Sequence, residues 1–357
     1  MKKLLEFYGE ANNALLAPRC VCMHNHLLVV SDTGQNRVFI WKHFSFQNHQ
    51  QPDVVLGQKE NNETERNAGA TVSASSLQYP SAVWTNGEKL VVADAWNHRV
   101  LIWHSLPTQN FQPADTVVGQ MNFESNLPNV MGIGKLPTAH TLNWPYGVFS
   151  NGKELWIADT GNRRVLYYHT IPTTNFAGAD ELIGQDTFFD KDYDNNNAVW
   201  PYAVKISSNN EMIIADTQYY RALLWSNWKD ALTKKAEIII GQKNINDNGQ
   251  NQYQLKPSAN TLNWVYDGCF YNNGIAIADT GNSRILLYNK LPELSNAVAN
   301  EQIGQPNFET HGETSLSMKS TIANEMYWPF AINACNELLL VADTGNHRIL
   351  FYTQAND

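Results

Sequence analysis

A chain of 357 residues could hold two or three domains, and its net charge of −9, from 25 Lys and Arg against 34 Asp and Glu, disfavours nucleic acid and other polyanions as partners. Cys20, Cys22, Cys269 and Cys335 have no metal-type spacing, so free buried thiols are expected. The N-terminus MKKLLEFYGE has no signal-type apolar region, and no run approaches the length of a membrane span. A cytoplasmic protein is the plainest expectation, the alternative being an exported chain whose signal peptide has been removed.

In chain order, the first apolar run is Leu4 to Glu10, LLEFYGE, closed by Gly9-Glu10. Ala17-Pro18-Arg19 and a short apolar strand follow, and then LVVSDTGQNRVFIW, which ends at Trp41. Five close copies of that last stretch come after it: LVVADAWNHRVLIW, LWIADTGNRRVLYY, MIIADTQYYRALLW, IAIADTGNSRILLY and LLLVADTGNHRILFY. Their aspartates fall at 32, 94, 159, 216, 279 and 343, a period of 57 to 65 residues, so the chain is a repeat protein. Each copy is an apolar, largely β-branched run, an Asp, a tight turn, an Arg and a second apolar run with an aromatic. That pattern predicts a β-hairpin buried on both faces.

Two further elements recur with each hairpin. Before it stands Tyr79-Pro80-Ser81, Trp144-Pro145-Tyr146, Trp200-Pro201-Tyr202, Trp264-Val265-Tyr266 or Trp328-Pro329-Phe330, with Ala17-Pro18-Arg19 as the divergent form. Proline suits the first residue of a strand, so this element opens the innermost strand of a blade. After the hairpin comes a short strand ending in Gly-Gln, at Gln58, Gln120, Gln185, Gln242 and Gln305. The sixth hairpin has no such strand after it, and Leu4 to Glu10 is predicted to supply it from the other end of the chain. The expected fold is all-β: residues 1–357 form a single six-bladed β-propeller of four-stranded antiparallel blades, its ring closed by the N-terminal strand.

The Ala-Asp-Thr-Gly-Asn-His-Arg turn, repeated in variant form along almost the entire chain, resembles the signature of the NHL-repeat β-propeller family. The resemblance implies one of three roles: an RNA-binding domain, a protein-interaction or sensor domain, or a lyase that uses a metal with histidines near the channel.

Six internal copies separate architecture from candidate chemistry. Each Asp is matched by an Arg five residues on, at 37, 99, 164, 221, 284 and 348, which predicts a charge-assisted pin for the hairpin and no catalytic dyad. The residue just before that Arg varies, as Asn36, His98, Arg163, Tyr220, Ser283 and His347, and is expected on an exposed binding rim. Trp96 and the pair Tyr219 and Tyr220 replace the Thr-Gly turn with aromatics in the second and fourth blades. The recurring tryptophans at 144, 200, 264 and 328 are expected to pack between blades, and Tyr146, Tyr202 and Tyr266 to lie nearer the channel mouth. Asp267 stands where the other blades have Cys20, Ala82, Gly147, Ala203 or Ala331, and is the candidate ligand carboxylate. Asp190, Asp192 and Asp194, followed by Asn195, have the oxygen-ligand spacing of a calcium loop but lack its later Glu, so Ca2+ or another divalent cation is a weak candidate.

The connections from outer strand to next inner strand carry a summed charge of −5, which argues against RNA. The inner strands hold no histidine besides His24 and His26, and His98, His140 and His347 do not make a ligand set by spacing. The favoured reading is therefore a non-catalytic module that binds a protein, peptide or small polar ligand, through Asp267, Tyr266, Trp96, His98, Tyr219, Tyr220, His347, Tyr146 and Tyr202. No cofactor is required for it, and a metal-dependent lyase or hydrolase is the alternative.

Overall fold

The computed structural model describes residues 1–194, 196–312 and 325–354. Six four-stranded antiparallel sheets stand around a common axis. The first blade runs outward through Cys20–His24, Leu27–Asp32, Arg37–Trp41 and Val54–Leu56, and the next four repeat it. The inner strands Cys20–His24, Pro80–Thr85, Pro145–Ser150, Pro201–Ile206, Val265–Tyr271 and Pro329–Cys335 each lie against the next, and the last lies against the first, so the ring is closed. The β-branched runs form the middle strands, whose side chains are buried on both faces because each blade is covered by its two neighbours.

Closure uses both ends of the chain. Strand Lys2–Phe7 pairs antiparallel with Arg348–Thr353 and becomes the outer strand of the sixth blade. Phe7 is fully buried, with its ring 5.1 Å from Trp41 and 5.0 Å from Phe44 of the first blade. One aromatic side chain thus welds the last blade to the first.

The strand's bounds differ from the Leu4 to Glu10 expected. It starts at Lys2, a bulge between Lys3 and Leu5 turns Leu4 outward, and Gly9–Glu10 pairs instead with Asn13–Ala14 in a separate small hairpin. The Gly-Gln equivalence still has a backbone basis. Gly9 has φ of 85°, like Gly57, Gly119, Gly184, Gly241 and Gly304 at 88° to 100°, and a Cβ would be strained there. In the other five blades the Gln side chain then donates to the carbonyl of the residue before the hairpin Arg, as Gln120 Nε2 does to His98 O at 3.0 Å.

In the five blades after the first, the ladder between the inner strand and its neighbour slips after the strand's first residue: Pro201 pairs with Asp216 and Ala203 with Ala215, which leaves Tyr202 unpaired. This bulge decides which side chains reach the axis. Among the described residues there is no α-helix, and no helix is long and apolar enough to cross a membrane.

Candidate functional site

The hairpin turns are alike in all six blades. After the Asp comes one turn of 3-10 helix, then a residue in the left-handed region with φ of 50° to 57°, then the Arg. Arg Nε donates to the Asp carboxylate at 2.7–2.8 Å, with both side chains essentially fully buried. In the fifth blade the remaining guanidinium donors of Arg284 go to the carbonyls of Phe308, Ser258 and Thr261. The Asp279 carboxylate also accepts from Asn263 N and Asn282 Nδ2. Burial pushes these carboxyl groups up, to about 6 at Asp32, against the pull of the facing Arg and the donated amides. Every contact of the Asp279 carboxylate is a donor aimed at it, so the ionised form is the one the site fits. These pairs pin the hairpins, as their repetition predicts.

The turn threonine stitches the ring. Thr33, Thr160, Thr217, Thr280 and Thr344 each donate to the first carbonyl of the next inner strand or its Pro18 counterpart, at 2.5–2.6 Å. The second blade has Ala95 in this place, and Ser81 reaches the Pro145 and Tyr146 carbonyls instead.

The variable residue before the Arg is not exposed in every blade. His98 and Ser283 are buried, and in four blades this side chain accepts a hydrogen bond from the next blade. Asn36 Oδ1 accepts from Tyr79 N at 3.0 Å, His98 Nδ1 from Trp144 N at 3.1 Å, Ser283 Oγ from Trp328 N at 3.3 Å and His347 Nδ1 from Ala17 N at 3.1 Å. What these positions share is acceptor capacity, which amide, hydroxyl and imidazole all have, so their identities drift while their role stays. Burial lowers His98 to about 4, consistent with a neutral ring whose Nδ1 lone pair is in use. His98 and His347 face different neighbours and do not converge.

The channel mouth is built by the bulged residues. Tyr146, Tyr202, Tyr266 and Phe330 meet there with ring centroids 4.8, 4.5 and 4.2 Å apart in succession. The first blade contributes Arg19, which the sequence reading passed over. Its guanidinium lies 3.7 Å from the Phe330 ring centroid and 5.0 Å from that of Tyr79, and Nη1 donates to Tyr202 Oη at 3.0 Å. The one available signal is that the residue after the proline, or after Val265 in the fifth blade, is aromatic in four blades and cationic in one.

Outside this collar stands a second tier, and here the expectation for the tryptophans holds only in part. Trp144 and Trp264 meet the preceding blade through its turn residues His98 and Tyr220, but Trp144 and Trp328 are 40% and 44% exposed, and Trp200 and Trp264 are half-buried. Left-handed backbone at Trp144, Trp264 and Trp328, with φ of 50°, 48° and 51°, turns their rings toward the loop face. Trp96 stacks on Tyr79 at 4.5 Å, and Tyr220 meets Trp264 edge-on at 5.3 Å, so these turn aromatics buttress the tier. Tyr219 lies 5.0 Å from the Arg221 guanidinium. Between the tiers open a cavity of about 300 Å³ walled by Trp264, Trp328, Tyr266 and Phe330 and one of about 160 Å³ that Arg19 enters.

Asp267 is not at the mouth. It is 3% exposed beneath the collar, where its carboxylate accepts from Gly268 N at 2.9 Å and from Ile332 N of the next blade at 3.0 Å. The slip in register places the residue after the proline at the mouth and the following one below it. Burial pushes the Asp267 carboxyl up, and the charge that pulls it back is Lys205. The space at this level holds about 20 Å³, room for little more than water. The carboxylate closes the edge of an inner strand, and a mouth ligand would meet Arg19 first.

Asp190 and Asp194 of the acidic loop use their carboxylates within the loop. Asp190 Oδ2 accepts from Thr187 N and Oγ1, and Asp194 from Asn196 and Asn197, while Asn195 lies outside the described residues. Among the described residues no three His, Cys, Asp or Glu side chains converge to hold a metal. Cys20, Cys22 and Cys269 are buried free thiols and Cys335 is half-buried, with burial pushing Cys20 up to about 12, well away from a reactive thiolate.

No family model and no curated protein matches the chain. Solved structures do. Kuenenia stuttgartiensis hydrazine synthase aligns over 96% of this chain and 97% of its own, at 10% identity and a TM-score of 0.52. A proposed 6-phosphogluconolactonase from Bacteroides uniformis aligns over 96% of this chain and 82% of its own, at 13% identity and a TM-score of 0.50. At such identities the likeness extends to the fold alone.

Proposed function

We propose that this propeller is a non-catalytic binding module of the NHL-repeat type, holding a protein, peptide or small polar ligand at its channel mouth. The observation that carries the reading is the second tier. Large aromatic rings that a stable ring has no need to expose are turned outward on strained backbone around two open cavities on the loop face. Rigid aromatics supply contact area at low entropic cost, which suits recognition. The summed charge of −5 on the connections disfavours nucleic acid as the ligand.

A thermal-shift screen of small polar and aromatic compounds tests this, since a ligand that binds the folded state raises its melting temperature. Hits are expected to lose their shift in the Trp264→Ala/Trp328→Ala double variant. The reading fails if they persist there and vanish instead on changing Lys89 and Glu154 on the opposite face.

A further inference from the structure

The smaller mouth cavity, of about 160 Å³, has an electrostatic character that the aromatic walls alone do not explain. Of the five N–H donors on the Arg19 guanidinium, one is used within the protein, by Tyr202 Oη. No carboxylate among the described residues is in ion-pair contact with it, and its other neighbours are the faces of Phe330 and Tyr79. Each hairpin arginine meets a carboxylate, whereas Arg19, facing the axis beside a cavity, keeps donors to spare. Trp200 lines the same cavity, and its indole Nε1 is a buried donor with no hydrogen-bond partner in the protein. Buried donors normally find acceptors, so an unmet donor beside the spare donors of Arg19 favours an acceptor from outside.

We infer that the Arg19 cavity is an oxyanion subsite, which takes the carboxylate or phosphate head of a small organic acid whose flat apolar body lies against Trp264 and Tyr266. The inference rests on the mouth-binding reading above and adds the ligand's charge. It also reverses the charge that Asp267 suggests from sequence, because that carboxylate is sealed beneath the collar and faces Lys205. The acid's oxygens would accept from the free Arg19 donors and from Trp200 Nε1, and both cavities share the Trp264 and Tyr266 walls for its body. Loss of the charged partner is expected to cost about ten- to a hundredfold in affinity, and loss of the neutral indole donor roughly three- to tenfold.

The test is isothermal titration calorimetry of the intact protein with benzoate, phenyl phosphate and benzylamine. Saturable binding of either anion is expected, and whether benzoate or phenyl phosphate binds more tightly identifies the head group. Arg19→Gln should weaken that anion at least tenfold with its melting temperature nearly kept. Arg19→Lys should fall between, and Trp200→Phe should show the smaller loss. Failure of both anions to bind with Kd below about 10 mM overturns the subsite, as does equal affinity in folded Arg19→Gln. Benzylamine binding that is lost in Trp264→Ala but indifferent to Arg19 would overturn the oxyanion assignment while leaving the mouth as a binding site. Compounds that bind only where Trp264 and Trp328 play no part would remove the mouth reading itself.

Discussion

The six hairpin turns and the six positions of the channel mouth are built from the same repeat but obey opposite rules. At the turns the charged groups are matched: Arg284 alone meets one carboxylate and three carbonyls, and the same Asp/Arg pair recurs in each blade. At the mouth Arg19, Ser81, Tyr146, Tyr202, Tyr266 and Phe330 take equivalent positions with different chemistry, and Arg19 and Trp200 keep donors in reserve. Saturation and repetition mark what holds the ring; asymmetry with spare hydrogen-bonding capacity marks what the ring can hold. The comparison also shows that asymmetry alone does not suffice. The residues before the hairpin arginines vary, yet four of them are saturated acceptors for the next blade.

The largest effect expected on the structural side is from deleting residues 1–10. This removes the buried Phe7 ring, worth about 3–5 kcal/mol, and uncovers the Arg348–Thr353 edge, so a loss above about 5 kcal/mol is expected. A melting temperature within a few degrees of the intact protein would refute ring closure by this strand. Next is Arg284→Ala, which leaves the buried Asp279 carboxylate without its cation and should cost about 3–5 kcal/mol in denaturant unfolding. Anion affinity below the new melting point should stay within about twofold of the parent. Loss of binding in a folded Arg284→Ala protein would erase the division between the two regions.

His98 gives a smaller effect with a defined sign. Its folded pKa, about 4, lies below the ordinary value of 6.5, so between those values the unfolded chain binds a proton that the folded protein does not. Its contribution is therefore complete above about pH 6.5 and is lost as pH falls toward about 4, by about 1–3 kcal/mol. His98→Asn keeps an acceptor and suits the left-handed backbone, as Asn36 does in the first blade. It should cost under about 1 kcal/mol at pH 7 and should lose less stability than the parent between pH 7 and pH 5. Equal acid sensitivity in the two proteins would mean that the Trp144 amide is not held by a neutral His98.

The fold was legible because its signals are local and repeated. A hairpin turn, a proline opening a strand and a positive-φ glycine closing one are each written in a few adjacent residues, and six copies remove ambiguity. Even the closing strand could be read, from the Gly-Gln missing after Tyr352 and the counterpart at Gly9. Depth along the channel was not legible. A pattern break singles out Asp267, but a one-residue bulge puts Tyr266 at the mouth and Asp267 beneath it, and no spacing rule announces that slip. Arg19 was hidden for a related reason. It belongs to the least regular copy of its element, where a departure reads as divergence until Phe330 and Tyr202, more than 180 residues away in sequence, are seen to pack on it. The exposure of Trp144 and Trp328 was not legible because left-handed backbone at a bulky residue is not an expectation any sequence rule supplies.

Thermal melts of the parent, Arg19→Gln and Arg284→Ala across a benzoate and a phenyl phosphate series report stability and affinity from the same curves. A crossed result is predicted: Arg284→Ala melts far lower but keeps the anion-dependent rise, whereas Arg19→Gln melts near the parent and loses that rise. Parallel behaviour of the two variants, either both unstable or both still stabilised by the anion, would contradict the account.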